Sequence, residues 1–348
     1  MKKLLFGYLS LFSFSFLTAA ESAIELSASW HSHLNDNLIK QMKSSFNTDI
    51  LIETGTLNGE CAYNASKYFK EVHTIELAEE LFEMARKRVE NRSNVYCYLG
   101  DSSELLLPIL ESVDGTVLFW LDAHYSGGNT ACGINGDPII YELNQIGVSK
   151  RFKSIILIDD IRGHNIPNIT KTITQLDDGF ICIILGDILL AFNEKYHSPN
   201  ISPLVQACTV SRISSNISEI INAEKTIINL RNSSEKSKLT ELFKQYKGYY
   251  SLWEGLINLG NKNYKLAISN LKSAKSKLNY YSWRIYCYLI QAYNESGNHL
   301  EAKATFQLLL PFIANNETAI RMLLGESLFE KYSHFSSLPS NESGFSRD

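Results

Sequence analysis

Apolar and polar positions follow two rhythms along the first two hundred residues. Nearly continuous apolar runs recur at 49–53 (DILIE), 71–76 (EVHTIE), 94–99 (NVYCYL), 116–122 (TVLFWLD) and 154–160 (SIILIDD). Runs this short, without a polar face, read as strands covered on both sides. Between them the apolar residues return at helical spacing, predicting helices over Gly59 to Phe69, Ala78 to Glu90, Ser103 to Leu110 and Pro138 to Ile146. In the second of these, Leu81, Met84, Ala85 and Val89 form the inward face. A further helix is predicted before the first run, over NDNLIKQMKSSF. Strands alternating with helices predict an α/β domain with a doubly wound parallel sheet. The run FICIILGDILLAF (180–192) breaks the rhythm, because Gly186-Asp187 between two apolar halves predicts an antiparallel hairpin. The expected sheet is five parallel strands closed by that hairpin.

Beyond residue 192 the pattern loses contrast, and 201–235 is read as a linker of unclear structure. A helical pattern then returns twice, with a period of 35 residues. Gly255 aligns with Ile290, Ala267 with Ala302 and Leu271 with Phe306. That period is close to the ~34 residues of tetratricopeptide helix pairs, which stack so that neighbours cover each other's apolar faces. Small Ala267 and Ala302 would let paired helices approach, and Tyr293 and Phe306 would fill the groove. A last helix is predicted near ETAIRMLLGESLFEKY. The expected organisation is a leader at 1–20, an α/β domain at 21–200, the linker, a smaller all-α domain at 236–335 and a disordered tail at 336–348.

The leader is predicted from MKKLLFGYLSLFSFSFLTAAES, which has a basic start, a short apolar stretch and small residues Thr18 and Ala20 before Glu21. This is the form of a secretory signal peptide, so export to the periplasm or the medium is expected, with delivery into another cell as one destination. No membrane span is expected in the mature chain. The net charge of −4 disfavours a nucleic-acid partner, whose phosphates would demand a concentrated positive field. Charge is nonetheless uneven: Asp101 to Asp160 is acidic, whereas Lys225 to Lys277 is rich in Lys and Arg. The six cysteines contain no C-x-x-C pair, and mostly buried thiols are expected rather than a disulfide framework.

The candidate chemistry sits where predicted strands end. In ETGTLNG, Glu53 closes the first strand, Gly55 permits a tight turn and Gly59 opens the next helix. Glu76 closes the second strand, where an acid can accept ribose hydroxyls. Asp101 and Ser102 follow the third and can read an adenine edge. Asp122 ends the fourth, with His124 and Tyr125 next in LDAHYSGG; Asp159, Asp160 and His164 follow the fifth in IDDIRGH. Acids gathered at one edge of a doubly wound sheet predict a ligand crevice. His124, with an ordinary pKa near 6.5, is a candidate general base beside Asp122.

In these residues the sequence resembles the class I S-adenosylmethionine-dependent methyltransferases, a Rossmann-like family whose distinguishing feature is the closing hairpin. ETGTLNG looks like the E-x-G-T-x-x-G loop of small-molecule O-methyltransferases. The resemblance, over about residues 35 to 195, implies that Glu53, Gly55 and Gly59 hold the methionine part of S-adenosylmethionine, Glu76 the ribose, and Asp101 with Ser102 the adenine. It also implies O-methylation of a hydroxyl on a small-molecule or protein acceptor. In the metal-dependent members an Asp after the fourth strand and an Asp-Asn pair after the fifth hold a divalent cation. Here Asp122, Asp159 and Asp160 would be the counterparts for Mg²⁺, with Asp160 in place of Asn. An alternative reading is a non-catalytic binding protein that holds a protein partner through the tetratricopeptide-like helices. A nicotinamide oxidoreductase is disfavoured by the hairpin.

Overall fold

A computed structural model describes residues 34–124, 131, 133, 136–214, 216–229, 247–278 and 282–334. The leader at 1–20 and the tail at 336–348 lie outside the described residues.

The predicted strands form one seven-stranded sheet in the order β3-β2-β1-β4-β5-β7-β6. The strands are β1 (Ile50–Thr54), β2 (Glu71–Glu76), β3 (Val95–Leu99), β4 (Val117–Leu121), β5 (Ile155–Ile158), β6 (Phe180–Leu185) and β7 (Ile188–Asn193). The first five are parallel, while β7 runs antiparallel to both β5 and β6. The hairpin therefore folds back so that its second strand lies inside and its first forms the edge. Every residue of β1, β4, β5 and β7 is buried, which accounts for their unbroken apolar sequence.

Helices α1 (Asp36–Phe46), α2 (Glu60–Ala65), α3 (Glu79–Arg88), α4 (Ser102–Ser112), α5 (Ile139–Val148) and α6 (Ile166–Leu176) cover the sheet. Asn35 caps α1, accepting the N–H groups of Asn37 and Leu38, and Asn47 ends the helix in the left-handed conformation. The predicted inward face of α3 needs one correction. Leu81, Ala85 and Val89 are buried, but Met84 is 55% exposed, because the helix lies at the sheet's β3 edge and covers only part of its circumference. Helix α6 was not apparent in the sequence, where Thr170, Thr172 and Thr174 interleave with Ile169 and Ile173; all three hydroxyls fold back onto helical carbonyls.

The stretch 201–235, expected as a linker of unclear structure, instead carries two helices, α7 (Pro203–Ile213) and α8 (Ile217–Asn229). Ser202 and Pro203 start α7 by cap and preset backbone. Its buried face contains Thr209 and Ser211 among Leu204, Val205 and Cys208, which is why the apolar pattern is faint. The Thr209 hydroxyl accepts the Ile184 N–H at 3.0 Å, so α7 docks on the hairpin.

The remaining helices are α9 (Lys247–Gly260), α10 (Tyr264–Lys277), α11 (Ser282–Glu295), α12 (His299–Leu324) and α13 (Glu326–Ser333). They pack as consecutive neighbours, and α9 and α11, like α10 and α12, begin 35 residues apart. Ala267, Ala302 and Phe306 are fully buried, and Tyr293 nearly so. No described helix is long and apolar enough to cross a membrane. The described cysteines, Cys61, Cys97, Cys182, Cys208 and Cys287, are free thiols and buried or half-buried.

Candidate active site

The parallel strands β1 to β4 end at one cleft of about 160 Å³. Gly55, Leu57, Glu76, Asp101, Ser102, Asp122 and His124 line it, together with Ala131, Gly133, Gly136 and Pro138. Of the predicted cofactor residues, Gly55, Glu76, Asp101 and Ser102 thus meet in one place.

The glycine loop has a geometric cause. Gly55 has φ +83°, and a Cβ there would lie 2.3 Å from the carbonyl oxygen of Asp122. The β1 loop passes over the end of β4 only without a side chain. Glu76 pins the same loop from the other side: Leu57 N–H donates to Oε2 at 2.8 Å, and Ala78 N–H donates to Oε1 at 2.9 Å. Its carboxylate stays in the cleft wall with lone pairs to spare.

Glu53 and Gly59 take other positions. Glu53 is 1% exposed and lies beneath the loop, where the Thr74 hydroxyl donates to Oε2 at 2.6 Å. Burial pushes its pKa up to about 7, against the opposing hydrogen bonds from Cys61 and Thr74. Gly59 packs α2 onto α3, since a Cβ there would lie 2.8 Å from the Cα of Ala85. Neither residue lines the cleft.

Asp101 caps α4 by accepting the Ser103 N–H at 2.8 Å. The Ser102 hydroxyl donates to Glu142 Oε1 at 2.5 Å. Glu142, on α5, is fully buried, and burial raises it to about 7 against the hydrogen bonds from Ser102 and Thr54. Sequence reasoning missed this residue. Its signal was a carboxylate on the apolar helical face formed by Ile139, Leu143 and Ile146.

At the ends of β4 and β5 three predicted residues converge. His124 Nδ1 is 3.2 Å from Asp122 Oδ1, and its Nε2 is 3.2 Å from Asp160 Oδ2. Asp160 reaches the ring from a left-handed backbone, φ +46° and ψ +39°. The close contact with the Asp122 carboxylate leads in holding the His124 pKa above its ordinary value, while burial raises Asp122. His164 stands edge-on to His124 at 5.6 Å between ring centres, and its Nδ1 is 2.7 Å from Asp137 Oδ2. Asp159 is 2% exposed with Oδ1 buried and without a hydrogen-bond partner; burial, then the charge of Asp122, pushes it up to about 8. Tyr125 lies outside the described residues.

The expected cation set does not fit this arrangement. Among the described residues, no group of three or more His, Cys, Asp or Glu side chains is placed to hold a metal ion. The ring of His124 stands between Asp122 and Asp160, and Asp159 is buried apart from solvent.

No protein-family profile matches the chain, and no curated protein sequence does. Among solved structures, a putative O-methyltransferase from Klebsiella pneumoniae is similar over 48% of this chain and 84% of its own, at 16% identity and a TM-score of 0.34. The SAH-bound methyltransferase PaMTH1 of Podospora anserina is similar over 45% and 76%, at 15% identity and a TM-score of 0.32. A TehB-like SAM-dependent methyltransferase from Corynebacterium glutamicum is similar over 51% and 91%, at 16% identity and a TM-score of 0.31. In this chain the five parallel strands are closed by the antiparallel hairpin expected from the sequence, with β7 turned against both its neighbours. The chain has a Rossmann-like, doubly wound fold closed by an antiparallel hairpin. The functional reading rests on the cleft itself.

Proposed function

We propose that the chain is an S-adenosylmethionine-dependent methyltransferase that methylates a hydroxyl group. The observation that carries this reading is the convergence of Gly55, Glu76, Asp101, Ser102 and Asp122 on one cleft at the C-terminal edge of the parallel strands. That edge is where doubly wound sheets bind ligands. The residues present suit the cofactor: Glu76 offers carboxylate lone pairs to two ribose hydroxyls, Asp101 and Ser102 offer polar atoms to a base, and the acidic wall favours a sulfonium cation. Bound S-adenosylmethionine supplies an electrophilic methyl group. The chain's own task is to place an acceptor hydroxyl beside it and take its proton. In this reading the proton passes to the Asp122–His124–Asp160 cluster. Burial makes Asp122 a stronger base than a free carboxylate, and His124 orients both acids. The acceptor is a small-molecule or protein hydroxyl, and export by the leader at 1–20 belongs to the same proposal.

Calorimetric titration of the folded full chain with S-adenosylhomocysteine tests this directly. Micromolar binding is expected, weakened at least tenfold in Glu76→Ala. A folded chain that binds neither S-adenosylhomocysteine nor S-adenosylmethionine would overturn the reading in favour of a binding protein built on this fold.

A further inference from the structure

Two carboxylates from the ends of adjacent strands, Asp122 after β4 and Asp160 after β5, converge on one point. Like charges brought together in a half-buried place repel unless another group separates them. Here the group between them is a side chain of the same protein. The His124 ring contacts Asp122 through Nδ1 and Asp160 through Nε2, each at 3.2 Å. With a carboxylate at 3.2 Å from each ring nitrogen, the ring itself takes up the space between the two acids. The surroundings fix it there. Asp160 adopts a left-handed backbone that a non-glycine residue rarely occupies, which directs its carboxylate towards the ring. His164, itself tied to Asp137, stands edge-on against the ring of His124.

We propose that the His124 ring fills the place between Asp122 and Asp160 that a divalent metal would otherwise occupy, so that this site works without a metal. The inference concerns side-chain geometry at the strand ends and is independent of the methyl donor. His124 is then a positioning residue: it acts through the two carboxylates. Removing the ring while keeping the acids should open a site of hard oxygen donors, the donor type that takes Mg²⁺ or Mn²⁺.

Mn²⁺ titration of the folded full chain, followed by electron paramagnetic resonance, reads this without any assay of activity. The wild type should show no stoichiometric site. His124→Asn should bind one Mn²⁺ per chain at least tenfold more tightly than the wild type. The added Asp160→Asn substitution should abolish that binding, and His124→Lys should restore the metal-free behaviour. One Mn²⁺ per wild-type chain, lost in Asp160→Asn, would overturn the proposal. So would a His124→Asn protein with wild-type circular dichroism and no gain in Mn²⁺ binding. Should His124→Asn fail to fold, the wild-type and Asp160→Asn titrations decide alone. A failure here leaves S-adenosylhomocysteine binding untouched, so the two readings fall separately.

Discussion

Glu53 and Glu142 are carboxylic acids placed where a charge is costly. Both are buried beneath the cleft, and burial lifts each to about 7 despite hydroxyl donors from Thr74 and Ser102. The linkage follows from the direction of the shift. The folded chain keeps these protons to higher pH than the unfolded chain, whose carboxyls titrate near 4.5. Between about pH 4.5 and 7 the native state therefore binds more protons, and stability falls as pH rises through that window. Each group should cost on the order of 1–3 kcal/mol once the window is passed. Thermal melts of the wild type between pH 5 and 8 should show a declining midpoint, and Glu142→Gln should flatten that slope while keeping an acceptor for Ser102. An unchanged slope in Glu142→Gln would show that this carboxyl titrates normally.

Arg151 shows how an element boundary is held by a distant side chain. Helix α4 ends at Ser112, and its last carbonyls lack helical partners. From beyond α5, the guanidinium of Arg151 donates to the carbonyls of Leu110 at 2.7 Å, Gly115 at 3.1 Å and Val113. It closes the loop that delivers β4, and therefore Asp122, to the cleft. Arg151→Ala should lower stability by about 1–3 kcal/mol in urea denaturation. Arg151→Lys should recover only part of this, because an ammonium lacks the planar fork. No such link is visible in the sequence, since contacts across some forty positions leave no periodic trace. The strands were legible because β1, β4 and β5 are buried on both faces and so are uniformly apolar. Helices α6, α7 and α8 were not, because Thr, Ser and Glu stand on or beside their buried faces and satisfy their polar atoms internally. In the cleft, Gly55, Glu76, Asp101 and Asp122 were legible as strand-end residues. Glu142 was hidden in the middle of a helix, and the bridging role of His124 depended on where two loops meet.

The α/β unit and the helical array are joined by α7 and α8, and a buried ionic cluster sits at that joint. Glu224 on α8 and Arg284 on α11 are almost wholly inaccessible, and their ion pair spans 2.7 Å. Tyr288 on α11 donates its hydroxyl to the other Glu224 oxygen at 2.6 Å. Ser211 on α7 donates to Glu224 at 3.1 Å and accepts the indole N–H of Trp253 on α9 at 3.3 Å. Three helices therefore share one carboxylate, α9 joins them through Ser211, and α7 in turn is bonded to β6 through Thr209 and Ile184. Desolvating both charges makes the pair a poor source of net stability, yet breaking it strands a buried guanidinium. Glu224→Ala should thus destabilise the chain by about 3–5 kcal/mol, far more than the loss of one surface ion pair. The double variant Glu224→Met with Arg284→Met should restore most of that stability, because no charge is left unpaired. If the cluster also transmits cooperativity, differential scanning calorimetry should resolve the single-variant melt into two transitions, the helical array first and the sheet second. A Glu224→Ala protein that melts once, within 1 °C of the wild type, would remove the cluster from any role in holding the two parts together.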